Sequence, residues 1–172
     1  MIVDFHTHIF PPWIREKREQ YLSVDTTFGD LYAKPDSNMA TADDLILAMD
    51  QDGVDLSLII GIGWTDQGLA RESNDYIIES VNLYPQKLVG FAGINPGWGN
   101  AAVKEAERCA TAGLKGIGEL HPDTQGFRLN DATVMRPIIE VAKDLDIPIK
   151  SMVIFMVKWA FASIPAFIIL AL

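Results

Sequence analysis

Two of the chain's three histidines stand two residues apart, His6 and His8, with Asp4 two residues ahead of them. In a β-strand alternate side chains face the same side, about 6.6–6.8 Å apart along the axis. An ideal strand therefore puts Asp4, His6 and His8 on one side. Two imidazoles at that spacing can chelate one divalent ion, and zinc, iron, manganese and nickel all accept such ligands. Asp4, one pleat deeper, is placed to fix a histidine tautomer from behind the metal ligand. Alone, a His-x-His pair more often means two polar side chains at a strand end, so the surrounding elements must decide.

Those elements alternate. Ile2 to Phe5 reads as a short buried strand ending on the histidines. Residues 9–40 carry Pro11, Pro12, Gly29 and Pro35 without sustained periodicity, which predicts a long loop with a short helix around Ile14 to Tyr21. Loops of that length inside compact domains are usually functional. Thr41 is an N-cap candidate for a helix through Leu45 and Met49 that stops at Gly53. Val54–Ile60, Leu88–Ile94 and Leu114–Leu120 read as apolar strands, and Ile147-Pro148-Ile149 begins a fifth. Helices are predicted over Arg71–Leu83, Ala101–Ala112 and Asp131–Leu145, the last with Ile138, Ile139, Val141, Ala142 and Leu145 on its apolar side.

Apolar strands between amphipathic helices mean a parallel sheet covered on its faces. A doubly wound sheet and a (β/α)8 barrel both fit that alternation. A complete barrel needs about 250 residues, so 172 residues predict an α/β chain holding the first four to five βα units. Gly61-Ile62-Gly63 lacks the third glycine of a dinucleotide fingerprint, and Gly116-Ile117-Gly118 lies inside a predicted strand. Neither supports a phosphate site.

The motifs in order resemble the amidohydrolase-related family that includes aminocarboxymuconate-semialdehyde decarboxylase. Asp4-Phe5-His6-Thr7-His8-Ile9-Phe10-Pro11 is similar to its first strand, and Asp50-Gln51-Asp52-Gly53-Val54-Asp55 to its passage into the second. Leu88–Pro96 resembles the third strand and Leu114–Pro122 the fourth. The resemblance implies one divalent metal, zinc by our expectation, held by His6 and His8. Glu119 is expected as a further carboxylate ligand and His121 as a substrate contact. It also implies a hydrolase or a non-oxidative decarboxylase acting on a small carboxylate-type or cyclic substrate. The family places a further histidine after the fifth strand and an aspartate after the eighth, and no histidine follows His121 here.

Composition narrows the partners. The formal charge of −9 disfavours nucleic acid and anionic lipid surfaces. Cys109 is the single cysteine, which rules out an internal disulfide. The opening Met1-Ile2-Val3-Asp4 has no basic or apolar leader, and a cytoplasmic location is expected. Residues 151–172 are nearly all apolar, with Lys158 the only charge. We therefore separate residues 1–150, the barrel portion, from a tail over 151–172. The tail has the length of a transmembrane helix, which would place the chain at a membrane. A frameshift explains it better. In a shifted frame Met152-Val153 and Met156-Val157 each allow His-Gly, and the stretch can resemble the family's sequence after strand five. Two further readings stay open: a half-barrel remnant whose unpaired sheet edges dimerise or aggregate, and a membrane-anchored binding protein.

Overall fold

Short β-branched runs bounded by glycine and capped helices give the chain its layers. The computed structural model describes residues 2–144. The fifth strand and the apolar tail expected from the sequence lie outside that range. Four strands, β1 (Val3–Thr7), β2 (Leu56–Ile60), β3 (Leu88–Ala92) and β4 (Gly116–Ile117), pair in parallel in the order β1-β2-β3-β4. Each strand lies beside its successor, without the reversal of strand order that marks a doubly wound sheet. The winding is that of a barrel.

Residues 9–40, expected as a long loop with one short helix, are more ordered than their composition predicts. They hold α1 (Pro12–Glu16), α2 (Arg18–Tyr21) and α3 (Thr26–Tyr32). The helix α4 (Ala42–Asp52) starts on a capping box, in which Thr41 accepts from Asp44 N and the Asp44 side chain accepts from Thr41 N. It ends at Gly53, whose φ of 70° suits glycine. The crossover helices are α5 (Gln67–Leu83), capped by Asp66, and α6 (Asn100–Thr111). After β4 come a single turn, α7 (Pro122–Gln125), and α8 (Ala132–Asp144).

The core lies between sheet and helices. Ile59, Leu88, Ala92 and Ile94 from the sheet side pack on Met49, Ile77, Ala102, Ala106, Cys109 and Ile138. A second cluster sits over the C-terminal end of the strands: Phe10, Ile14, Phe28, Ile62, Trp64, Leu69 and Ala70. Two differences from the sequence reading matter. Strand four is two residues long, so Glu119 stands in the loop beyond it. Ile139 faces outward, 46% exposed, while its neighbour Ile138 is buried, because consecutive helix positions are about 100° apart.

Candidate metal centre

The strand ends bring His6, His8 and Glu119 to one point. An irregularity in the β1–β2 register between Asp4 and Thr7 adds one residue to β1, breaking the alternation assumed for an ideal strand. Asp4 consequently does not orient an imidazole. Its Oδ1 accepts from the His6 backbone N–H at 3.1 Å. The Ile60 carbonyl at the end of β2 takes the expected role, 2.8 Å from His8 Nδ1. That bond places a proton on Nδ1 and leaves the Nε2 lone pair of His8 pointing into the site.

His6 Nε2 and His8 Nε2 are 3.0 Å apart, and Glu119 Oε2 is 3.7 Å from the first and 3.6 Å from the second. A point equidistant from the three atoms is about 2.0 Å from each, the length of a zinc–nitrogen or zinc–carboxylate bond. The spacing of two imidazole nitrogens and one carboxylate oxygen therefore suits one divalent ion, which would take the place of the proton shared between the two imidazoles. Among the described residues these three form the group able to hold one.

His121 stands on the far side of the carboxylate, its Nε2 3.4 Å from Glu119 Oε1. The electrostatics follow from this arrangement. Burial, helped by the positive potential of His6, pushes the His8 pKa below its ordinary value, against the Ile60 carbonyl and Glu119. Contact with Glu119 pushes His121 up, over the opposing cost of burial. Glu119 itself lies below the usual carboxylate range. Burial would raise it, but His121 and the other two imidazoles outweigh that. The site thus disfavours a proton on His8 and favours one on His121.

Three buried polar side chains hold this geometry, and two of them, Gln125 and Asp25, did not stand out in the sequence. Gln125 on α7 accepts from His121 N at 2.9 Å and donates to the Trp64 and Ile94 carbonyls, each at 3.0 Å, tying the loops after β2, β3 and β4 together. Asn95 caps the 3-10 turn Pro96–Trp98 by accepting from Gly97 N, and donates to the Gln125 carbonyl. It is a turn anchor, as its position at a strand end suggests. Asp25, fully buried, accepts from Phe28, Thr65 and Asp66 N–H groups. Gly63 is required by close approach, because a Cβ there would lie 2.7 Å from His121 Cβ. Gly61-Ile62-Gly63 thus serves packing at the strand ends.

The family model described as amidohydrolase matches residues 3–167. The chain belongs to the amidohydrolase family. The chain is 25% identical over 167 residues to the 2-amino-3-carboxymuconate-6-semialdehyde decarboxylase of Dictyostelium discoideum, a match covering 83% of this chain and 46% of that one. The solved 5-carboxyvanillate decarboxylase of Novosphingobium aromaticivorans, with bound manganese and 3-methoxy-4-hydroxy-5-nitrobenzoic acid, superposes with a TM-score of 0.68 at 21% identity. That alignment covers 86% of this chain and 49% of the other. The 4-oxalomesaconate hydratase of Rhodopseudomonas palustris aligns with a TM-score of 0.57 at 22% identity, over 86% of this chain and 51% of that one. The chain therefore spans about half the length of these relatives. Among the described residues, no helix is long and apolar enough to cross a membrane.

Proposed function

We propose that this chain supplies the histidine-rich part of a metal-dependent site that acts on a small cyclic or conjugated carboxylate, with decarboxylation favoured over hydrolysis. The observation that carries it is the convergence of His6 Nε2, His8 Nε2 and Glu119 Oε2 on a point about 2.0 Å from each. Two of the relatives above bear the name decarboxylase, and one of them was solved with manganese and a ring carboxylate. Zinc is our choice of ion, because a nitrogen-rich site binds it more tightly than manganese.

His6, His8 and Glu119 would hold a divalent ion, which would supply Lewis-acid polarisation of a substrate oxygen. The chain's own groups do the rest. The Ile60 carbonyl fixes the His8 tautomer. Glu119 brings a negative charge beside three imidazoles, which favours a cation there. His121 Nε2 lies 3.4 Å from Glu119 Oε1, which raises its affinity for a proton, and that atom is where a carbon losing carbon dioxide would find its replacement proton.

Loading the chain with zinc or manganese and adding 3-methoxy-4-hydroxy-5-nitrobenzoic acid tests the site through the nitrophenol absorbance. Metal-dependent release of carbon dioxide from 5-carboxyvanillate tests the reaction. A metal-loaded chain that perturbs the absorbance, and loses the effect in the His6→Asn/His8→Asn variant, is expected. A metal-loaded chain that neither binds the nitrobenzoate nor releases carbon dioxide contradicts the proposal.

A further inference from the structure

An asparagine in the middle of a helix is unfavourable twice over. Its side chain competes for backbone hydrogen bonds, and a buried amide without partners loses its hydration. Asn74 lies inside the 17-residue α5 and is fully buried. Its amide faces the end of β3. Oδ1 accepts from Gly93 N–H at 2.8 Å, while Nδ2 donates to the Gly93 carbonyl at 3.0 Å and to Glu105 Oε1 at 2.9 Å. An ionised carboxylate only accepts, so the amide nitrogen must face Glu105 and the orientation is fixed. One side chain from the helix layer thus holds both polar groups of the Gly93 backbone.

Gly93 in turn meets Gly61. A Cβ on Gly61 would lie 2.7 Å from Gly93 Cα and 2.9 Å from Gly93 N, so two bare backbones touch where β2 and β3 end. The peptide groups on either side of Gly61 carry the metal centre. The Ile60 carbonyl, bonded to Gly61 N, is 2.8 Å from His8 Nδ1. The Gly61 carbonyl accepts from Glu119 N–H at 2.5 Å. Across the contact, the Ala92 carbonyl, bonded to Gly93 N, accepts from Gly118 N–H at 2.9 Å. A histidine ligand and the carboxylate ligand are therefore both tied to the backbone that flanks the Gly61–Gly93 contact.

We infer that Asn74 is a positioning residue for the metal centre: by clasping Gly93 against Gly61 it sets the spacing between His8 and Glu119. This rests on the metal-site assignment above. Asn74 acts through backbone alone, along the path Gly93, Gly61, and then the Ile60 and Gly61 carbonyls. Metal–ligand distances tolerate deviations of only about 0.2 Å, so a small shift of Gly61 is felt at the ion. The clasp explains why a buried asparagine stands in α5 where an apolar residue would pack more simply.

The test compares the wild-type, Asn74→Ala and Glu105→Ala chains in three measurements: urea midpoint, zinc affinity, and the visible absorption bands of the cobalt(II)-loaded chain. Both variants lose buried hydrogen bonds, and both should unfold at lower urea. Only Asn74→Ala frees Gly93. It should bind zinc about tenfold more weakly and shift the cobalt(II) bands, whereas Glu105→Ala, which keeps both Gly93 bonds, should match the wild type in zinc affinity and bands. Wild-type zinc affinity and bands in Asn74→Ala overturn the inference. An equal loss of zinc affinity in Glu105→Ala assigns Asn74 to general stability and also overturns it. If Asn74→Ala does not fold, Asn74→Asp takes its place, because it keeps the shape and the acceptor for Gly93 N–H but loses the amide donor to the Gly93 carbonyl. Weaker zinc binding with shifted bands is expected there too, and unchanged values overturn the inference. A wild-type chain that takes up no zinc removes the metal-site assignment first and this inference with it.

Discussion

Glu105 and Glu119 are both carboxylates withdrawn from solvent, with side chains 10% and 21% exposed, and both are held below the usual carboxylate range. Their company differs. Glu105 on α6 is a closed account of hydrogen bonds. Arg108 donates to both its oxygens at 2.7 and 2.9 Å, Asn74 donates at 2.9 Å, and Arg71 reaches it at 3.4 Å. Asn74 also clasps the Gly93 backbone through both N–H and carbonyl, so the network fixes the end of β3. Among the described residues, the charged partners of Glu119 are imidazoles: His6, His8 and His121. The guanidinium and NH2 groups that face Glu105 are all donors, so Glu105 has no room for a cation. Imidazoles can turn lone pairs inward, so Glu119 does.

If this contrast is right, the largest stability effect belongs to the closed site. Glu105→Ala leaves Asn74 and Arg108 without their acceptor and should cost about 2–3 kcal/mol, read as a lower urea midpoint at unchanged slope. It should leave zinc affinity unchanged. Glu119→Gln should cost less than about 1 kcal/mol in the metal-free chain and weaken zinc binding by at least about tenfold. Equal destabilisation by the two variants would erase the distinction.

A smaller effect sharpens it. Proton NMR of the imidazoles should place the His121 midpoint above its ordinary 6.5 and the His8 midpoint below it. The signs give opposite contributions to stability. The raised His121 value adds stability that is present below pH 6.5 and lost as pH rises through its folded pKa. The lowered His8 value withdraws stability as pH falls below 6.5 toward its folded pKa. Glu119→Gln should return His121 toward 6.5, because the carboxylate is the largest cause of its shift. Glu105→Gln should move neither histidine.

The parts of this molecule that could be read from sequence are those with a local signature. The helix α4 announces itself by Thr41, Asp44 and Gly53, and the parallel alternation by apolar runs between amphipathic helices. His6 and His8 point to a ligand pair through their spacing taken together with their place at the end of the first strand of an α/β repeat. What stayed hidden depends on groups without side-chain identity or on distant partners. The Ile60 carbonyl is a backbone atom, 52 residues from the histidine it orients. Gln125 acts by joining three loops, and nothing in its neighbourhood in the sequence says so. The α3 helix was hidden differently. Asp25 is an N-cap and Phe28 and Tyr32 are four apart, but seven residues with Gly29 inside fall below the length at which periodicity is persuasive. Asp4 misled because alternation assumes a regular strand, and β1 is irregular between Asp4 and Thr7.

The central claim is that His6, His8 and Glu119 together hold one divalent ion. Equilibrium dialysis of the purified chain against zinc, with metal and protein quantified in the same sample, tests it most directly. The account predicts one zinc per wild-type chain and per Glu105→Ala chain, and none at the same free zinc for His6→Asn/His8→Asn. A wild-type chain without stoichiometric zinc, or a double variant that still carries it, would contradict the account.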